Sequence, residues 1–439
     1  MSAPTTLVRN GRLIDPSQGI DQIGDLRLEA GKVKELGRAS PTGAERIIDA
    51  TGLIVCPGLI DMHVHLREPG HEEEETIASG SAAAVAGGFT SVACMPNTHP
   101  PLDKETSIEF VYRQASRAGL CRVYPIGCIT KERSGKELAE MGQMVRAGAV
   151  AFSDDGDGVA DAEVCRRAMQ YAAMFNRTII QHCEDRDLSG NGVMNGGVTA
   201  LRLGLPGIGD IAEVVMLQRD LVLAENTGAR YHVAHVSTAA SVDLIRAAKA
   251  RGVRVTAEVT PHHLALTEEA CAEYDPNFKM SPPLRTREDT EACLRGLCDG
   301  TIDCLASDHA PHSPEEKELE FLYAPFGVIG LESALPVYVK VLVEPGRMDW
   351  PELIRRMTIN PARVLGLTKG TLTVGADADV TIIDPNARWT IRAERFVSRS
   401  RNCPFDGWEV RGRVVATIVA GAVRHAMDGL ADLDVLPSD

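Results

Sequence analysis

Long apolar runs are missing from this chain of 439 residues. None reaches the ~18 residues that a membrane-spanning helix needs, so a membrane protein is not expected. The first stretch, Met1 to Asp15, has no basic segment followed by an apolar run, so no signal peptide is expected. The 11 cysteines never form Cys-x-x-Cys. Scattered and odd in number, they read as reduced core thiols of a cytoplasmic protein; Cys183, beside His182, reads as packing. Positive charge is in deficit, with 46 Lys plus Arg against 61 Asp plus Glu and a net charge of −15. That disfavours a general nucleic-acid or membrane surface and leaves room for a local basic pocket that takes an anion. The rest, 44% hydrophobic with 40 Gly and 24 Pro, is ordinary globular composition. The length suits about two or three domains, or one large barrel with an accessory domain.

Both ends of the chain read as short strands. At the start these are Thr6–Arg9, Asp25–Leu28, Lys32–Leu36 and Arg46–Ile48, with hairpin-type breaks at Asn10-Gly11 and Ala30-Gly31. At the end they are Ala378–Asp384 and Gly412–Val419, with a turn at Gly421. Neither end is long enough for a robust core alone, so residues 1–56 and 370–439 are expected to pair into one small β-sandwich domain. Between them strands and helices alternate, the pattern of a parallel sheet. The strands are Leu59–His65, Thr90–Met95, Arg122–Ile126, Ala149–Phe152, Thr178–His182, Arg230–Val236, Arg254–Val259 and Ile302–Ser307. The helical patterns are Glu75–Ala86, Ser107–Ala118, Gly135–Ala147, Asp161–Phe175, Ala212–Asn226, Ala240–Ala250, Glu288–Cys298 and Leu331–Val343. This predicts an α/β fold with a (β/α)8 TIM-type barrel over residues 57–369, whose chemistry sits at the C-terminal strand ends.

The strand ends carry the candidates. His63 and His65 are two apart on a strand, so their imidazoles face one way, a spacing that suits a metal with nitrogen ligands. Arg67 follows on the same alternation, a forked donor for a carboxylate. Asp154 and Asp155, His182, His232 and His235, His262 and His263, and Asp308 with His309 and His312 stand at later strand ends. One such residue is usually a helix cap or a satisfied polar group; their concentration at one barrel mouth predicts a metal centre, with two ions favoured over one. Periodicity does not choose between Asp154 and Asp155, because the strand has ended before them. Glu72 to Glu75 reads as an acidic run favoured by a helix N-terminus. Lys317 reads as solvated, and the loops 184–207 and 309–328 read as candidate lids.

The stretches Asp61 to Gly70, Gly87 to Thr98, Ala151 to Gly156, His235 to Thr238, Pro282 to Arg285, Ser307 to His312, Pro325 to Glu332, Asn360 to Arg363 and Ser400 to Trp408 resemble the cyclic-amidohydrolase branch of the amidohydrolase superfamily. Within it they are similar to dihydroorotases of the type called class I. The resemblance implies two zinc ions, one held by His63, His65 and Asp308, the other by His182 and His235, with Asp155 bridging. His232 is then the alternative to His235 that faces the core. Hydantoinase and allantoinase relatives bridge with a carboxylated lysine, and Gly148 to Gly158 contains none. The implied reaction is reversible hydrolysis of the ring amide of dihydroorotate to N-carbamoyl-aspartate by a metal-activated hydroxide, with Asp308 as proton shuttle. Arg67, Asn97 and His312 would bind the substrate, and the backbone of Pro325, Phe326 and Gly327 would read its amide edge. Ser281 stands where this type often carries asparagine, and is expected to do the same job at closer range. Implied partners are the small-molecule substrate, a second copy in a homodimer, and aspartate transcarbamoylase. The competing activity is that of a dihydropyrimidinase, hydantoinase or allantoinase; the competing role is a scaffold for the transcarbamoylase.

Overall fold

The computed structural model describes residues 5–43 and 45–427. In chain order the strands are β1 Thr6–Asp15, β2 Ile20–Glu29, β3 Lys32–Gly37, β4 Arg46–Asp49, β5 Ile54–Pro57, β6 Leu59–Val64, β7 Phe89–Cys94, β8 Arg122–Pro125, β9 Ala151–Phe152, β10 Thr178–Gln181, β11 Met194–Asn195, β12 Gly207–Ile208, β13 Arg230–Val233, β14 Val255–Val259, β15 Cys304–Leu305, β16 Val380–Thr390, β17 Glu409–Val419 and β18 Ala422–Ala426.

Strands from both chain ends join one eight-stranded sheet in the order β18-β17-β16-β5-β1-β2-β3, with β4 pairing β1. Val33 N donates to Ala376 O at 2.9 Å and Lys32 bridges Asp377, so the β3 edge returns to the segment leading into β16 and the sheet curls on itself in the manner of a sandwich around Leu13, Val55, Ile382 and Ile418. The turns at Ala30-Gly31 and Gly421 are hairpins as expected. Asn10-Gly11 is not: β1 continues through it with a register shift between Val8 and Gly11, and Asn10 takes φ 59°. An asparagine accepts that left-handed backbone at a bulge without ending the strand. β5 escaped the sequence pattern because it is too short and uniformly buried to alternate. It pairs in parallel with β1 and antiparallel with β16, then runs through Gly58 into β6. A side chain at Gly58 would meet Thr90 Oγ1 at 2.1 Å, so only glycine lets the two sheets meet this closely.

The eight barrel strands are β6, β7, β8, β9, β10, β13, β14 and β15, in parallel pairs. Bridges Gly127–Phe152 and Val64–His309 close the ring. Met62, Ala93, Ile126, Ile180, Ala234 and Ala306 fill its interior, and the helix Ile359–Leu365 delivers Val364 and Leu365 to the same cluster. Helices follow the strands with local signals in place: Asp161 caps Ala162–Met174, and Thr286 with Asp289 forms a capping box on Arg287–Cys298. The helix expected from Gly135 begins only at Met141, because residues 130 and 138 form an extended bridge instead. Among the described residues no helix is long and apolar enough to cross a membrane. All eleven cysteines are free thiols, and Cys298 alone is exposed.

Candidate metal centre

Six side chains converge at the C-terminal mouth of the barrel. His63 Nε2 lies 3.4 Å from Asp155 Oδ1 and 3.4 Å from Asp308 Oδ1. His65 Nε2 lies 3.1 Å from Asp308 Oδ1 and 3.5 Å from Asp155 Oδ2. His235 Nε2 is 3.9 Å from Asp155 Oδ1 and 2.9 Å from His182 Nδ1. Ligand atoms of His63, His65 and Asp308, and of His63, Asp155 and His235, all lie within 4.8 Å of one another. All six residues are buried, and His63 Nε2 and Asp155 Oδ1 have no hydrogen-bond partner. Buried nitrogen and oxygen atoms that lack hydrogen bonds are costly unless a ligand meets them, and this imidazole and carboxylate set suits zinc or a similar divalent ion. Two of the six hold positive φ, 31° at His235 and 48° at Asp308. A non-glycine residue bears such strain where the surrounding structure over-determines it, often at a functional site.

The electrostatics follow from this crowding. Burial pushes both aspartates toward neutrality, but His63, His235 and His65 override it and hold Asp155 well below the usual carboxylate range. His63 and His65 do the same for Asp308. Burial likewise opposes charge on His63, yet Asp308, Asp155 and Glu258 raise it well above an ordinary imidazole.

Tertiary contacts separate the alternatives. Asp154 accepts from Ile129 N at 2.8 Å, Thr130 N at 3.1 Å and the Thr130 hydroxyl, so its carboxylate is committed to a loop while Asp155 faces the cluster. His232 contacts Thr256 and Glu258 rather than the cluster. His263 bonds Thr260 Oγ1 at 2.8 Å and Pro282 O at 3.0 Å. His262, beside it, is pushed down to about 4 by burial.

A cavity of about 360 Å³ opens over the cluster, lined by His65, Arg67, Asn97, Asp155, His182, His235, Ser281, Asp308, His312, Phe326 and Gly327 among others. Pro325 is not on this wall; its carbonyl accepts from Lys317 Nζ at 2.8 Å. A second cavity, about 450 Å³ beside Trp389 and Phe396, holds none of the predicted residues. β6 ends at Val64, and Arg67 reaches the cavity from a left-handed turn, φ 60°, not by strand alternation. Its Nε donates to Pro311 O at 3.0 Å and stands 2.8 Å from Glu74 Oε2, while Nη2 is 3.3 Å from His312 Nε2. Asn97 turns its carbonyl to His65 Nδ1 at 2.8 Å. His312 Nε2 donates to Phe326 O at 2.8 Å. A Cβ on Gly327, φ 135°, would lie 3.0 Å from His312 Nε2, so this close approach requires glycine.

Three readings need correction. Lys317 is buried, donating also to Pro276 O at 3.0 Å and Lys279 O at 3.4 Å; burial, then Lys279, pushes it down to about 7. Its carbonyl partners come from distant loops, which no local charge pattern reveals. The acidic run is not spent on the helix N-terminus: Glu74 pairs Arg67, and Glu75 accepts from Ser398 Oγ at 2.5 Å and faces His309 at 3.4 Å. Ser281 donates to Glu184 Oε2 at 2.8 Å, and Glu184 lies 3.3 Å from His182 Nε2. Sequence reasoning missed Glu184 and Glu258. The available signals were a carboxylate two residues after a candidate ligand and a lone carboxylate inside the apolar strand Val255–Val259.

Comparison with known proteins adds an independent line. Residues 52–241 match the family model described as dihydro-orotase-like, and residues 201–425 match the amidohydrolase family. The chain is 52% identical over 419 residues to the dihydroorotase of Pelobacter propionicus, covering 95% of this chain and 98% of that one. It is 53% identical over 417 residues to the dihydroorotase of Pelotomaculum thermopropionicum, covering 95% and 97%. Among solved structures, the L-hydantoinase (dihydropyrimidinase) from Arthrobacter aurescens superposes with a TM-score of 0.83 at 30% identity over 96% of both chains. The D-hydantoinase (dihydropyrimidinase) from Thermus sp. superposes at 0.82 and 26% identity, covering 99% and 97%.

Proposed function

The chain belongs to the dihydroorotase family of the amidohydrolase superfamily, and from this premise we propose how its residues divide the work of opening a cyclic amide. The reaction is reversible hydrolysis of the ring amide of (S)-dihydroorotate to N-carbamoyl-L-aspartate, a step of pyrimidine biosynthesis. We assign two zinc ions, one to His63, His65 and Asp308 and one to His182 and His235, with Asp155 between them. The observation that carries this is the unpartnered His63 Nε2 and Asp155 Oδ1 in a buried cluster of four imidazoles and two carboxylates. Zinc bound there supplies Lewis acidity, which acidifies water and polarises an amide carbonyl.

Asp308 stands on the cavity wall, where its carboxylate can take a proton from the attacking water and return it to the leaving ring nitrogen. Arg67 offers its outer guanidinium nitrogens to the substrate carboxylate, its Nε side being fixed by Pro311 and Glu74. Asn97 gives its carbonyl to His65, so its amide nitrogen is free to donate into the cavity. His312 holds Phe326, and the backbone of Phe326 and Gly327 meets the ring amide edge. Ser281 acts on Glu184 and not on the substrate carboxylate, which leaves that group to Arg67 and Asn97, while His312 helps by holding the Phe326 loop beside them.

Ser281 turned toward Glu184 also favours one second reading, an amidase for rings without a carboxylate. Against it, residues 148–158 offer no lysine for the bridging chemistry of the hydantoinase type. We further propose a division of the chain into residues 1–56 with 370–439 and residues 57–369, of which 1–4, 44 and 428–439 lie outside the described residues. Cytoplasmic residence is our reading of the free thiols. A homodimer and association with aspartate transcarbamoylase are carried over from family likeness.

Elemental analysis of the purified protein, together with turnover before and after exhaustive chelation, tests the assignment. About two zinc per chain and activity that disappears and returns with added zinc are expected. Full activity without metal refutes the centre, and one ion per chain refutes Asp155 as a bridge first.

A further inference from the structure

We infer that Thr256, His232 and Glu258 form a relay that fixes His63 in the tautomer able to bind a metal. Glu258 lies on β14, fully buried. Its Oε1 is 2.5 Å from His63 Nδ1 and its Oε2 is 3.2 Å from His232 Nε2. His232 Nδ1 is 2.8 Å from Thr256 Oγ1. An ionised carboxylate only accepts, so both facing nitrogens carry hydrogen. With its hydrogen on Nε2, neutral His232 presents a lone pair at Nδ1, and the Thr256 hydroxyl donates to it. Each donor thus meets an acceptor in one direction only.

The consequence reaches the site. With hydrogen on Nδ1, His63 carries its lone pair on Nε2, the atom that lacks a partner and lies 3.4 Å from both Asp155 and Asp308. Without Glu258 the ring is free to place hydrogen on Nε2, where it would donate to either aspartate and block the ligand position. Outer partners of a ligating histidine fix its tautomer and raise its basicity, and losing one costs roughly 10–100-fold in metal affinity. Glu258 and His232 are therefore positioning residues: they touch neither cavity nor substrate. His232, which the sequence offers as a rival ligand, holds the carboxylate from behind.

The test is zinc affinity by competition with a chromophoric chelator, with 15N NMR of the imidazole nitrogens in the zinc-loaded protein. Wild type should show His63 and His232 with hydrogen on Nδ1 and Nε2 respectively. Glu258→Gln should weaken zinc about 10–100-fold and disturb both ring patterns, since an amide presents a donor to one of the two histidines. Thr256→Val removes only the outermost donor and keeps the side-chain shape; it should lose a few-fold in affinity with an unchanged melting temperature. Zinc affinity within twofold of wild type in Glu258→Gln, or a wild-type His63 with hydrogen on Nε2, overturns the relay. If Glu258→Gln does not fold, the Thr256→Val affinity and the wild-type spectrum still decide it.

Discussion

Replacing Arg67 by methionine separates recognition of the substrate carboxylate from chemistry at the ring amide. Dihydroorotate and dihydrouracil share the scissile amide and differ by that carboxylate. A buried guanidinium with no partner at all would penalise dihydrouracil by about 3–5 kcal/mol. Arg67 is not in that position, because Glu74 Oε2 at 2.8 Å and Pro311 O at 3.0 Å stay with it when the substrate carboxylate is absent. What dihydrouracil forfeits is the charged hydrogen bonding alone, about 1.5–3 kcal/mol. At 1.4 kcal/mol per factor of ten, wild type should prefer dihydroorotate by roughly 10- to 150-fold in kcat/KM. Arg67→Met should lose most of that preference through dihydroorotate and leave dihydrouracil within a few-fold. The variant should fold, because burial already pushes Glu74 up to about 7, and without Arg67 its carboxyl becomes neutral. The assay is kcat/KM for both compounds in both proteins. Equal use of dihydrouracil by wild type would refute the substrate, and an equal fall on both compounds would move Arg67 from recognition to the integrity of the site.

Asp308→Asn should lower kcat by about 10²–10⁴-fold with the melting temperature little changed; turnover within a few-fold of wild type would place the proton transfer elsewhere. Lys317→Met strips the donor from the carbonyls of Pro276, Lys279 and Pro325. It should cost about 1.5–3 kcal/mol in urea unfolding and raise KM more than it lowers kcat, and unchanged stability would mean those carbonyls find other donors. Burial raises Glu332 from 4.5 to about 7, against hydrogen bonds from Ser398 N and Val397 N. The folded state therefore holds its proton over pH 4.5 to 7 while the unfolded chain releases it, so this group's contribution to stability falls across that window as pH rises. Glu332→Gln should be increasingly stabilised relative to wild type from pH 4.5 to 7 and level above it, and a flat difference in urea midpoints would contradict the shift.

The sequence by itself determined the barrel and the inventory of the site. Strand and helix periods are local, so all eight barrel strands were legible from Leu59 to Ser307. The candidate ligands were legible because a parallel barrel puts the residue after each strand at one mouth, whatever the loops do. Only the tertiary structure decided which of them face one another. Asp154 and Asp155 are chemically equal neighbours until Ile129 and Thr130, some 25 residues away, engage the first. Ser281 had a donor whose target, Glu184, lies 97 residues off. Glu258 meets His63 across 195 residues, through strands that are not neighbours in the chain. Lys317 looked solvated because charge is read locally, whereas burial depends on what other segments cover it. Periodicity fixes the direction of a side chain from its own strand or helix; its partner is fixed by chain closure, which brings together groups whose separation in sequence carries no local signal.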